Sequence, residues 1–222
     1  MKLNNRISIF IVALLIIIGL GGCTNETPPQ RSKAVFMLLD TSGTYTEELV
    51  KAQKIINYLL ARLDRGDTLA IGRIDSGSFS EKDIVAKVTF DARPSKSNEQ
   101  KRAFKRDIDK FITHVKSSPY TDISGGILQA SEYLNETGAQ EKYILIFSDL
   151  KEDLVKGHVR NFAIPLADIN VVALNVTKLR SDNVDPRKYM DRLSDWSAKV
   201  ANGGGIWTVV NDLDRLESLI KS

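Results

Sequence analysis

From Ala34 onward the chain alternates short apolar runs with stretches whose apolar residues recur every three or four positions. Ala34 to Leu39 is an unbroken apolar run, as expected of a strand buried on both faces. Tyr45 to Leu63 carries Leu49, Ala52, Ile56, Leu59 and Leu63 at helical spacing. Thr68 to Ile74 reads as a second strand. Ile84 to Phe90 alternates, with Ile84, Ala86, Val88 and Phe90 on one face and Val85, Lys87 and Thr89 on the other. The nine residues Asp75 to Asp83 are too few for a parallel crossover, so this third strand is expected to pair antiparallel. A helix from about Asn98 to Val115 follows, with Phe104, Ile108, Phe111, Ile112 and Val115 inward. Next come a helix through Ile127 to Leu134 and strands at Tyr143 to Ser148 and Val171 to Val176. A helix from about Pro186 to Ala201, a strand Ile206 to Val210 and a helix Leu213 to Ile220 close the series. The expected fold is α/β: a doubly wound, mostly parallel sheet with one short antiparallel edge strand and helices on both faces.

The pattern before Ala34 is different. Lys2 and Arg6 precede the fourteen residues Ile7 to Leu20, which are almost wholly apolar, with only Ser8 interrupting. A membrane span needs roughly 20 residues, whereas this length suits the apolar region of an export signal. Leu20-Gly21-Gly22-Cys23 resembles a bacterial lipobox, in which the cysteine is lipidated and becomes the new N-terminus. Cys23 is the only cysteine, which excludes a disulfide within one molecule. Thr24 to Lys33 is polar, contains two prolines and lacks periodicity, so it reads as a tether reaching at most about 35 Å. The expected organisation is a signal at 1–22, a lipidated cysteine and tether at 23–33, and one domain at 34–222. Thr24 after the cysteine resembles the default for the outer membrane of diderm bacteria, so the expected location is the cell envelope, on a lipid anchor.

Charge narrows the partners. The chain holds 31 basic and 28 acidic side chains, and with Lys2 and Arg6 set aside the excess falls to one. That near-neutral balance argues against a nucleic-acid binder.

The candidate chemistry sits where strands are expected to end. Asp40-Thr41-Ser42-Gly43-Thr44 follows the first apolar run, Thr121 lies in the loop Ser117 to Asp122, and Asp149 follows Tyr143 to Ser148. One carboxylate with two hydroxyls from a single strand end is a hard-oxygen set suited to a small cation such as Mg2+. In open α/β sheets, ligands bind beyond the carboxyl ends of the parallel strands, where connections diverge to opposite faces. Two carboxylates converging there repel each other unless a divalent cation lies between them. Taken alone, Asp40, Ser42 and Thr44 also suit a helix cap.

In order and spacing the three segments resemble the metal-ion-dependent adhesion site of von Willebrand factor A domains. The likeness runs from about Lys33 to Ser222 and includes the antiparallel third strand and the stretch Thr121-Asp122-Ile123-Ser124-Gly125-Gly126-Ile127. It implies Mg2+ or Mn2+ held by Asp40, Ser42, Thr44, Thr121 and Asp149, directly or through water. The completing ligand it implies is an acidic side chain from a protein partner. Thr44 stands where serine is commoner in the family, and Leu150 where glycine often follows the aspartate.

Asp40-Thr41-Ser42-Gly43-Thr44 also resembles the phosphorylated motif of P-type pumps and haloacid dehalogenases. On that alternative Asp40 is a nucleophile, Ser148 a phosphate-binding hydroxyl and Asp212 with Asp214 the late acidic pair. Ser42 stands where such hydrolases place a general acid, so no catalytic constellation is complete and a non-enzymatic role is expected. A metal-free envelope scaffold is the third reading. Asp122 and Ser124 read as helix-start residues, Glu152 and Asp153 as a solvated face, Asp75 as turn chemistry, and Trp196 and Trp207 as core. His114 and His158 have no acid or nucleophile pattern around them.

Overall fold

The computed structural model describes residues 31–220 apart from Ser78, and leaves out the side chains of Thr44, Thr46, Leu213 and Asp214. The signal segment and Cys23 lie outside the described residues. Among those described, no helix is long and apolar enough to cross a membrane.

Six strands form one sheet in the order β3-β2-β1-β4-β5-β6. They are β1 Lys33–Asp40, β2 Thr68–Ile74, β3 Ile84–Thr89, β4 Glu141–Phe147, β5 Ile169–Leu174 and β6 Ile206–Val210. All neighbours pair parallel except β2 with β3, which is antiparallel, as the short connection requires. The helices are α1 Leu49–Arg62, α2 Pro94–His114, α3 Ile123–Glu136, α4 Arg180–Val184, α5 Arg187–Asn202 and α6 Leu213–Leu219.

Every residue of β1 is buried, and its alternate side chains feed two separate cores. Val35, Met37 and Leu39 pack with α1, with Phe104 and Ile108 of α2, and with Leu216 of α6. Ala34, Phe36 and Leu38 pack with Ile123, Ile127, Ala130 and Leu134 of α3 and with Trp196 and Val200 of α5. A strand covered on both faces has no polar side to show, which is why its sequence does not alternate. Burying each of these branched side chains contributes about 1.5–3 kcal/mol, and the two layers fix β1 at the centre of the sheet.

Several boundaries differ from the expected ones. Gly43–Glu48 is a 3-10 turn, and α1 begins only at Leu49, a tightened first turn of a kind common at helix starts. Helix α2 begins at Pro94, four residues early, with proline in the first turn where its missing N–H costs nothing. The five-residue α4 was not expected, since it has no apolar periodicity. In β3, the pairing shifts between Ile71 and Gly72, leaving Val85 extra. Such a bulge turns the side chains beyond it to the other face. Ile84 accordingly packs into the α3 core while Ala86 and Val88 face the α2 core, so the single apolar face expected of this strand is split.

Candidate metal centre

The strand order reverses between β1 and β4, and the carboxyl ends of these two strands form the switch point. Asp40 is the last residue of β1, and Asp149 lies two residues past the end of β4. Asp40 is 0% exposed. Its Oδ1 accepts the Ser42 N–H at 2.8 Å, and its Oδ2 accepts the Ser148 hydroxyl at 2.6 Å. Ser148 is itself held by the Leu150 N–H, 2.9 Å from its Oγ. Both donors to Asp40 are neutral. Burial therefore pushes the Asp40 carboxyl above its ordinary pKa, and the Ser148 and Ser42 hydrogen bonds only oppose that shift. Asp149 adds to it through space.

Asp149 has different surroundings. It is half-buried, and its Oδ1 accepts the Lys151 N–H at 2.8 Å. Its main-chain carbonyl accepts Nε–H of Arg192 at 2.9 Å. The same guanidinium grips Asp182 of α4 with its other two nitrogens, at 3.2 and 2.7 Å. Burial raises the Asp149 carboxyl, while the Lys151 N–H and the charges of Arg192 and Lys151 pull it back.

Main-chain bonds stitch the three loops together. The Ser118 N–H donates to the Thr41 carbonyl at 2.8 Å, and the Gly43 N–H to the Ser118 carbonyl at 3.3 Å. Thr121 and Asp153 exchange both N–H···O bonds, at 2.8 and 2.9 Å. The loop after β1 is thus tied to the loop before α3, and that loop to the one after β4. Between them lies a cleft of about 280 Å3 that Ser42, Thr121 and Asp149 all line, with Tyr45, Lys151 and Asp153 also on its walls. Asp40 lies below it, out of reach of solvent. The Tyr45 hydroxyl is locked outside the site by donating to the Asn175 carbonyl at 2.7 Å.

Four of the five expected donors are therefore drawn to one switch point: Asp40 beneath, and Ser42, Thr121 and Asp149 around the cleft. The Thr44 side chain falls outside the described ones. Among the described residues no three His, Cys, Asp or Glu side chains group to hold a metal. The donors here are instead carboxylates and hydroxyls, a set that fits Mg2+ or Mn2+ retaining part of its water shell.

Glu152 is not the solvated residue its sequence context suggests. Its Oε1 accepts the Ser124 N–H at 2.7 Å, and Lys199 lies 3.5 Å from its Oε2. Asp122 caps α3 through the Gly125 N–H at 2.9 Å, as expected, and also forms an ion pair with Arg160. The α3 amides that would favour an acidic ligand group are thus occupied by the chain's own carboxylates. Asp212, half of the acidic pair of the hydrolase alternative, caps α6 by accepting the Arg215 N–H at 2.7 Å. Arg192, Asp182, Arg160 and Ser118 carry no sequence signal, because their roles arise only from contacts between distant segments. Leu150 has φ 65° and is 1% exposed. Its left-handed backbone explains why glycine suits this position.

No protein-family model and no curated protein matches the sequence. Solved structures do match. A von Willebrand factor type A protein from Catenulispora acidiphila aligns with TM-score 0.53 and 10% identity over 85% of this chain and 40% of its own. The pilus adhesin SpaC from Lactobacillus rhamnosus GG, in its open conformation, gives 0.51 and 11% over 85% and 29%. A D319A mutant of the minor pilin PilB from Streptococcus sanguinis gives 0.50 and 13% over 88% and 61%. The chain thus corresponds to less than two thirds of each of these proteins. With its sheet order, single antiparallel strand and helices on both faces, the described domain has the von Willebrand factor A fold.

Proposed function

We propose that this chain is a non-enzymatic, lipid-anchored envelope domain that binds a protein partner through Mg2+ or Mn2+. Asp40, Ser42, Thr44, Thr121 and Asp149 hold the ion, directly or through water, and an acidic side chain of the partner completes its shell. Cys23 carries the lipid. The observation that supports the metal is Asp40, a fully buried carboxylate whose hydrogen-bond donors are both neutral. Buried charges are paired or bind metals, and Ser42, whose N–H holds Asp40, lines one cleft with Thr121 and Asp149. The pilus adhesin and the minor pilin among the structural neighbours agree with an adhesive role in the envelope.

Calorimetric titration of Mn2+ into the wild type and into Asp40→Ala, Thr121→Ala and Asp149→Ala tests this reading. Each change is expected to weaken binding, and the losses are expected to be non-additive, since residues sharing one ion act as a unit. Unchanged affinity in both Thr121→Ala and Asp149→Ala would leave a metal-free scaffold. Turnover of a generic phosphate ester that disappears in Asp40→Asn would instead favour the hydrolase.

A further inference from the structure

Charge is unevenly divided between the two faces of the sheet. Helix α2 carries six basic and three acidic side chains, and its neighbour α1 carries Lys51, Lys54 and Arg62 with no acid. On the opposite face, α3 has Glu132 and Glu136 and no base, and α5 has four bases against two acids, so the two helices together hold four of each. In a chain whose charges nearly cancel, this is a segregated arrangement.

Within α2 the cations fall into two groups. Lys96 and Lys105 are neutralised by Glu99 and Asp109 on the same helix, at 2.9 and 2.7 Å. Lys101 donates to the Leu63 carbonyl and lies over the Phe90 ring. Arg102, Arg106 and Lys110 are all exposed, and none makes an ion pair among the described residues. Spaced four apart, they form one row along the helix, about 12 Å from end to end. Glu99, Asp109 and Asp107 stand three positions from Arg102, Arg106 and Lys110 and offset part of the repulsion that like charges have at this spacing, but the helix keeps three more bases than acids. Opposed anions would remove the repulsion.

We infer that the outer face of α2, through Arg102, Arg106 and Lys110, docks on an anionic lipid surface. Charge complementarity supports this occupant, and so does the tether. The nine residues between Cys23 and β1 extend at most about 32 Å, close to the roughly 31 Å length of a 21-residue helix such as α2. A domain held that close to a bilayer meets it at high effective concentration, so a weak electrostatic contact suffices to set which side faces the membrane. This rests on the anchoring part of the proposed function and is independent of the metal.

Both cores lie wholly between Ala34 and Ile220, so residues 31–222 can be used without lipid. The assay is flotation with phosphatidylglycerol–phosphatidylcholine vesicles and with phosphatidylcholine alone, in EDTA, at low and high salt. Expected is binding to the anionic vesicles only, weakening as salt shortens the screening length. Each cation neutralised should lower the partition about fivefold, so Arg102→Gln/Arg106→Gln/Lys110→Gln together should lower it about a hundredfold. That variant should keep its helix content and melting temperature. Changing Lys188→Gln, on α5 across the sheet, should leave partitioning unaltered. No preference for anionic vesicles, or equal binding by the triple variant, would overturn the inference. So would binding of a random oligonucleotide through the same three residues without vesicle binding. Because the assay needs neither lipidation nor metal, its failure is distinguishable from failure of the anchor or of the ion site.

Discussion

Leu150 offers a test in which two opposing terms can be read separately. It has φ 65°, is 1% exposed and packs in the α3 core. A left-handed conformation costs a non-glycine residue about 1–2 kcal/mol, so part of what the side chain contributes by burial is offset in the backbone. Its neighbours hold the strain in place: the Leu150 N–H donates to Ser148 at 2.9 Å, and its carbonyl accepts Nε1–H of Trp196 at 2.9 Å. Leu150→Ala removes the packing and keeps the strain, so it should cost about 2–5 kcal/mol. At an ordinary buried position, glycine would be worse than alanine by about 0.5–1 kcal/mol in backbone entropy, plus the lost methyl of about 0.8 kcal/mol. Here relief of the left-handed backbone returns about 1–2 kcal/mol, so Leu150→Gly should match Leu150→Ala or exceed it in stability. Urea unfolding of residues 31–222 and both variants measures this, with the alanine variant melting roughly 4–20 °C lower at about 2–4 °C per kcal/mol. A glycine variant less stable than alanine by about 1.5 kcal/mol would refute the strained-backbone account.

Three further outcomes follow from other parts of the molecule. The Asp182 carboxyl is held down at about 2 by Arg192; a depressed pKa stabilises above the ordinary carboxylate range, so this contribution is lost as pH falls from about 4 through about 2. Urea unfolding across that window should show a slope in the wild type that Asp182→Asn lacks, and Arg192→Met should cost about 3–5 kcal/mol by leaving the buried carboxylate unpaired. A Cβ on Gly203 would lie 2.3 Å from the Ile164 carbonyl oxygen, so Gly203→Ala should destabilise by about 1–3 kcal/mol, read from thermal melts. Cys23→Ser should abolish acyl labelling and membrane fractionation while leaving the domain folded; labelled, membrane-bound mutant protein would contradict the anchor.

The fold was legible because β1 and β4 are continuous apolar runs and their flanking helices keep a clean 3.6 period. Both signals come from burial, which acts residue by residue. The strand β2 and the strand β6 match their expected limits, Thr68–Ile74 and Ile206–Val210. Helix starts were misplaced where capping is atypical: α2 opens after Arg93 with no side-chain cap, and the first turn of the segment before α1 is 3-10. The bulge at Val85 was invisible because it depends on the partner strand. So was the pairing of Asp182 with Arg192, ten residues apart across a helix that has no periodicity. At the site, Ser42 and Asp149 could be anticipated from their position at strand ends, and Thr121 from the loop that leads into a helix. The Ser148 hydroxyl on Asp40 and the Glu152 cap on α3 could not, since each joins segments 28 or more residues apart.

The two carboxylates of the candidate centre differ in a way that bears on how it works. Asp149 is only half-buried, sits near Arg192 and Lys151, and its backbone is anchored by a guanidinium that Asp182 fixes in turn. Asp40 has no such counter-charge in contact with it and lies wholly inside the fold. Burial, and to a smaller degree the charge of Asp149, makes Asp40 harder to ionise than an ordinary carboxyl. On the proposed reading a divalent cation would favour the ionised carboxylate, so its affinity should rise with pH. Asp149, Ser42 and Thr121 sit on loops cross-linked through their main chains, which holds the backbones of these residues in place before any ligand binds.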